Sequence, residues 1–160
     1  MEIEKDKINY RRANINDVEF LVGYRVRFLN ELYDHPEDDE TEILRKALRQ
    51  YFSEAIPSNN FIVWLAEYNG KIIGTSGMVV WRMPARYGGL ESGRLGYILN
   101  LYTVPEARRK GICTRLLNEL KEAKSSGLKY LHLHSSEEGI NIYRKAGFVE
   151  PDQTELILKI

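Results

Sequence analysis

The chain has 160 residues, 43% of them hydrophobic, which is enough for one domain spanning residues 1–160 with a sizeable core. Its 23 Lys and Arg balance 23 Asp and Glu, so no global field recruits nucleic acid or an anionic membrane, and any anion site has to be local. Residues 1–7 alternate charges where a signal peptide needs an apolar stretch, and no run approaches the ~20 apolar residues that span a bilayer, so a cytoplasmic protein is expected. The single cysteine, Cys113, excludes an internal disulfide and a cysteine-cluster zinc site, and His35, His132 and His134 form no metal-ligand motif; no metal is expected.

In chain order, residues 8–11 read as a short strand, and Asn14 to Asp17 supply capping residues for a helix over residues 18–32. Val18, Leu21, Val22, Phe28, Leu29 and Leu32 share one face of that helix with Arg25, whose charge there needs a partner. After an acidic, proline-broken connection, Ile43, Leu44, Ala47, Leu48, Tyr51 and Phe52 recur at helical spacing. Two β-rich runs flank Asn69-Gly70, a strong hairpin signal that makes these strands antiparallel.

A basic, glycine-rich loop follows over residues 85–96, carrying Arg86, Glu91 and Arg94. A strand is predicted over 97–104, an amphipathic helix over 110–124 closed by Gly127, a strand over 128–134 and a helix over 137–146 closed by Gly147. Final strand material runs from Phe148 to residues 156–160. This order, β α α β β β α β α β β, predicts a mixed α/β sheet of six to seven mostly antiparallel strands, with about four helices on both faces and one parallel pair near the middle.

The segment 101–113, Leu-Tyr-Thr-Val-Pro-Glu-Ala-Arg-Arg-Lys-Gly-Ile-Cys, is the most informative. A buried-looking strand runs into a short basic turn that opens a helix. Backbone N–H groups there lack intrahelical partners and carry the positive end of the peptide dipoles, so the turn is an anion cradle, and Gly111 permits close approach. A plain strand-to-helix connection would look similar, which makes agreement elsewhere necessary.

Arg108, Gly111 and, imperfectly, Cys113 fit the pattern Arg/Gln-x-x-Gly-x-Gly/Ala, which resembles the GNAT superfamily of N-acetyltransferases. Tyr143-Arg144-Lys145-Ala146-Gly147-Phe148 is similar to the Tyr-x-x-x-Gly-Phe ending of that superfamily's last motif, and the element order resembles the GNAT fold from about residue 8 onward. The resemblance implies acetyl-coenzyme A (acetyl-CoA) as cosubstrate. It places the pyrophosphate on the turn formed by Arg108, Arg109, Lys110, Gly111, Ile112, Cys113 and Thr114, and pantetheine along Leu101, Tyr102 and Thr103. It also implies that the strands carrying Leu101 and His134 splay apart, and that a bulge on the first offers an N–H to the thioester oxygen.

On the same resemblance, Tyr143 reaches the thioester sulfur as a general acid, a step a phenol of pKa ~10 makes at a cost of roughly two kcal/mol. His134 and Glu91 are candidate bases for a primary amine, mostly protonated at neutral pH, and Arg25 is a candidate contact for an acceptor carboxylate. The expected reaction is direct transfer of an acetyl group to a primary amine of a small molecule or peptide, without a covalent enzyme intermediate. The alternative is a non-catalytic acyl-CoA-binding sensor or docking module. Exposed terminal strands of a mixed sheet also suit a homodimer.

Overall fold

Which strands stay paired, and where one pair comes apart, decides the shape of this molecule. The structure is a computed structural model that describes residues 3–88, 91–121, 127–152 and 154–159. Its elements are β1 (Asn9–Arg12), α1 (Val18–Tyr33), α2 (Asp39–Ala55), β2 (Phe61–Tyr68), β3 (Lys71–Arg82), β4 (Arg94–Thr103), α3 (Ile112–Lys121), β5 (Leu131–His132) and α4 (Ile140–Lys145). The five strands form one sheet in chain order, with β1 to β4 antiparallel and β4 and β5 parallel.

Period-two alternation distributes the core between the two faces. Phe61, Val63 and Leu65 of β2 pack with Val18, Leu21, Val22 and Phe52 of α1 and α2. Ile62 and, from β3, Met78 and Val80 point the other way and meet Leu117 and Leu120 of α3. Helices therefore cover both faces. Gly77 is required by close approach: a Cβ there would sit 2.5 Å from the buried Phe61 ring.

Three sequence expectations are corrected. The sheet has five strands rather than six to seven, because residues 148–152 and 154–159 form no strand. Pro151 interrupts the run, and Leu156, Ile157 and Leu158 have no backbone ladder and are 82–89% exposed. The strand expected over 128–134 shrinks to two residues, since β4 pairs with it only at Gly96↔Leu131 and Tyr97↔His132. Consequently the parallel pair lies at the sheet edge instead of near the middle. Residues 122–124, at the end of the expected third helix, and Ile160 lie outside the described residues.

The start of α1 is fixed by charge. Asp17 is buried at the helix start; its carboxylate accepts Arg11 Nη1 and Nη2 at 2.9 and 2.8 Å and the Asn14 N–H at 2.8 Å, while Arg11 Nε reaches Glu67 at 2.9 Å. This ties α1 to β1 and β2. The Arg11 guanidinium holds the Asp17 carboxyl below its ordinary pKa, so its stabilisation is complete above about pH 4 and is lost as pH falls through the lowered folded value. Asp17→Asn is expected to lower unfolding stability by about 1–3 kcal/mol at pH 7. Urea titrations should show the gap to wild type narrowing below about pH 4.

Candidate active site

The site begins where β4 stops being regular. Thr75 faces Tyr102 and Gly77 faces Leu99, so Ser76 alone spans Asn100 and Leu101, and β4 carries a bulge. Asn100 adopts φ +57°, its carbonyl accepts Thr75 Oγ1 at 2.9 Å, and its side chain is buried. Beyond Tyr97, β4 has no strand partner on its outer edge among the described residues, which leaves the outward backbone groups of residues 98–103 without a ladder. The bulge implied by the resemblance is present, and the pairing of β4 with β5 stops after two residues.

At the far end of β4 the turn is assembled from both sides. Arg109 and Gly111 take φ +59° and +85°, and the Arg115 N–H donates to the Gly111 carbonyl, starting α3. A Cβ on Gly111 would meet nothing within 4 Å, so glycine is favoured here by its backbone angle and the space beside it is open. Arg108 does not point into that space. Its Nε donates to the Thr103 carbonyl at 3.1 Å and its Nη2 to Glu31 at 2.7 Å, with Glu31 also accepting the Tyr102 hydroxyl at 2.6 Å. Glu31 thereby joins α1, β4 and the turn, and burial together with Glu31 pushes the Tyr102 hydroxyl up to about 12. The Arg109 side chain is exposed.

Next to the turn, Thr114, Asn118, Asn141, Ile142, Lys145 and Ala146 line a groove of about 380 Å³ between α3 and α4. Asn118, Asn141 and Lys145 carry no sequence signal of this role; their shared groove exists only once α4 is docked. Tyr143 lies half-buried on α4, edge-on to Phe148, and its hydroxyl has no hydrogen-bond partner among the described residues. Burial pushes it up to about 12, higher than a free phenol. Proton transfer to a thiolate of ordinary pKa ~8.5 would cost about 5 kcal/mol, and near neutrality the Tyr143 hydroxyl keeps its proton.

On the α1 side of β4, Arg25 Nη1 donates to Asn100 Oδ1 at 2.7 Å and its guanidinium lies 5.7 Å from the Phe28 ring centre. Burial pulls the Arg25 pKa below its ordinary value, and no carboxylate pairs with it among the described residues. Glu31, on the same helix, is taken by Arg27, Arg108 and Tyr102.

Trp81 stacks on Tyr97 at 4.5 Å, the Tyr97 hydroxyl bonds His134 Nδ1, and His134 Nε2 meets Glu155 at 2.6 Å. Glu91 lies 3.7 Å from Lys129 on the surface. Tyr97 could have been anticipated from strand alternation; Glu155 had no local signal.

The fold is that of an acetyltransferase. A family model described as an acetyltransferase (GNAT) domain matches residues 59–150, and the chain belongs to that family. Among solved structures, a predicted acetyltransferase from Clostridium acetobutylicum, crystallised with acetyl-CoA, is 34% identical; the match covers 94% of this chain and 96% of that one, with a TM-score of 0.84. A GCN5-related N-acetyltransferase from Ralstonia eutropha shares the fold at 22% identity, with 94% and 98% covered and a TM-score of 0.81. Glucosamine-6-phosphate N-acetyltransferase from Arabidopsis thaliana does so at 18% identity, with 94% and 97% covered and a TM-score of 0.67. No curated protein matches the chain. The chain is thus an acyltransferase of the GNAT family. No helix among the described residues is long and apolar enough to cross a membrane.

Cys113 sits at the start of α3 with its sulfur 3.0 Å from Thr103 Oγ1, and burial raises its pKa despite the helix start and Arg108. This is the opposite of an activated nucleophile. At pH 8, iodoacetamide is expected to alkylate Cys113 at least about tenfold more slowly than free cysteine, measured by mass spectrometry of the intact protein.

Proposed function

We propose that this chain transfers an acetyl group from acetyl-CoA to a primary amine by direct attack. The observation that carries the reading is the bulged edge of β4, parted from β5 and leading straight into the Gly111 turn. The chain's own groups fit the cosubstrate: open space beside Gly111, amides at the start of α3 and a strand edge without a partner among the described residues. Bound acetyl-CoA supplies an acyl group already activated as a thioester.

In this reading the amides of Arg109, Lys110, Gly111, Ile112, Cys113 and Thr114 hold the pyrophosphate, stabilised by the helix dipole. The main chain of Leu101, Tyr102 and Thr103 lines up the pantetheine arm as a missing strand would. Arg108 contributes by fixing the turn through Glu31 and Thr103 rather than by touching phosphate. A backbone N–H at the Asn100–Leu101 bulge stabilises charge developing on the carbonyl oxygen, worth a few kcal/mol in a dry site. Tyr143 donates a hydrogen bond to the departing sulfur. Arg25, a half-buried cation with a neutral partner, favours acceptors that also carry a carboxylate or phosphate.

The test is release of coenzyme A thiol from acetyl-CoA across a panel of primary amines. Turnover is expected to be fastest with amines bearing a carboxylate or phosphate. Gly111→Ala should weaken acetyl-CoA binding at least about tenfold by calorimetry, with only the ~1–2 kcal/mol stability loss of a left-handed non-glycine residue. Uptake of acetyl-CoA without thiol release from any amine would instead assign the chain to a sensor role.

A further inference from the structure

His134 is held at both ring nitrogens. The Tyr97 hydroxyl contacts Nδ1 and the Glu155 carboxylate contacts Nε2 at 2.6 Å. A carboxylate on Nε2 keeps the proton there, so Nδ1 is the acceptor and Tyr97 donates to it. In that arrangement His134 has no lone pair left for a substrate. The Tyr97 oxygen does, and it belongs to the face of β4 that looks toward α1.

The surrounding groups support one orientation. Along β4, Tyr97 shares a face with Leu99, which packs under α1 and α2, while Leu131 and Leu133 anchor the opposite face of the β5 segment. His134 is thereby turned to the Tyr97 side. Trp81 stacks flat on the Tyr97 ring at 4.5 Å and 10°, fixing its plane. The titratable groups facing Tyr97 are His134, Glu155 from the C-terminal segment and Arg25 from α1; those facing His134 are Tyr97 and Glu155. Burial and Glu155 raise the Tyr97 pKa, so a free tyrosinate does not form near neutrality and its two proton movements have to be coupled.

We propose that Tyr97 is the catalytic residue that takes the proton from the attacking amine, relaying its own hydroxyl proton to His134 Nδ1, with His134 and Glu155 as positioning residues. The inference rests on the acyl-transfer reading. As the amine nitrogen bonds to the acyl carbon, the carbon–sulfur bond breaks and its electron pair leaves with sulfur. Tyr97 Oη receives one amine proton while giving up its own, and so stays neutral. His134 becomes a cation stabilised by Glu155, and returns its proton to solvent, from which the thiolate is protonated. The products are an amide and a thiol, and no oxidant or reductant is needed.

Two measurements test the relay, one of them without an acceptor. In ¹⁵N NMR of the free protein, His134 is expected as the Nε2–H tautomer, with the Nδ1 signal changed in Tyr97→Phe, which keeps the stacked ring. With the best amine of the panel at saturation, Tyr97→Phe should lower kcat about 10²-fold while leaving the KM for acetyl-CoA unchanged. An Nδ1–H tautomer in wild type or an unchanged kcat in Tyr97→Phe overturns the relay alone. A wild-type protein that binds acetyl-CoA and releases no thiol overturns the acyl-transfer reading, and the relay as a catalytic device with it.

Discussion

One extra residue in β4 organises the whole site. Between the hydrogen-bonded positions of Leu99 and Tyr102, β4 spends two residues, Asn100 and Leu101, where β3 spends one. Asn100 tolerates the left-handed backbone this requires, as asparagine does more readily than most residues, and Thr75 secures its carbonyl at 2.9 Å. Beside this irregularity, β5 abandons β4 after two pairs. An edge of β4 that a longer β5 would have covered keeps a row of backbone donors and acceptors without a strand partner among the described residues.

That geometry would be floppy without buttresses, and the structure supplies one on each side. Toward the turn, Glu31 gathers Tyr102 and Arg108 in bonds of 2.6 and 2.7 Å, so that a helix from the front half of the chain braces the turn proposed to hold phosphate. Such a half-exposed network is worth little as stability but much as positioning. Toward the bulge, Arg25 clasps the Asn100 side chain at 2.7 Å. The same contact presents a guanidinium beside the strand edge, which is how a structural strut doubles as a probe for anionic acceptors in the proposed reaction.

Much of this was legible in the residues. The Asn69-Gly70 hairpin, the helix start at Asn14 to Asp17 and the amphipathic α3 all form as their local patterns dictate. The basic turn at Gly111 was readable because positive φ and a helix start are local properties. The C-terminal segment was not: Leu156, Ile157 and Leu158 have strand composition, yet a strand needs a ladder partner, and composition says nothing about which edge is available. Arg108 shows a second limit, because a basic residue in a phosphate-like turn reads as a ligand until a glutamate 77 positions away is found beside it. Tyr97, His134 and Glu155 lie on three separate segments, so their contact belongs to the tertiary structure alone.

The account stands on the claim that the open edge of β4 and the turn before α3 together receive acetyl-CoA. Backbone amide NMR during a titration with coenzyme A addresses that claim directly. The account predicts shifts and slowed hydrogen exchange concentrated at residues 100–103 and 109–114, with β1 and β2 unmoved. Saturable binding that leaves those two stretches unperturbed and alters another surface would contradict it.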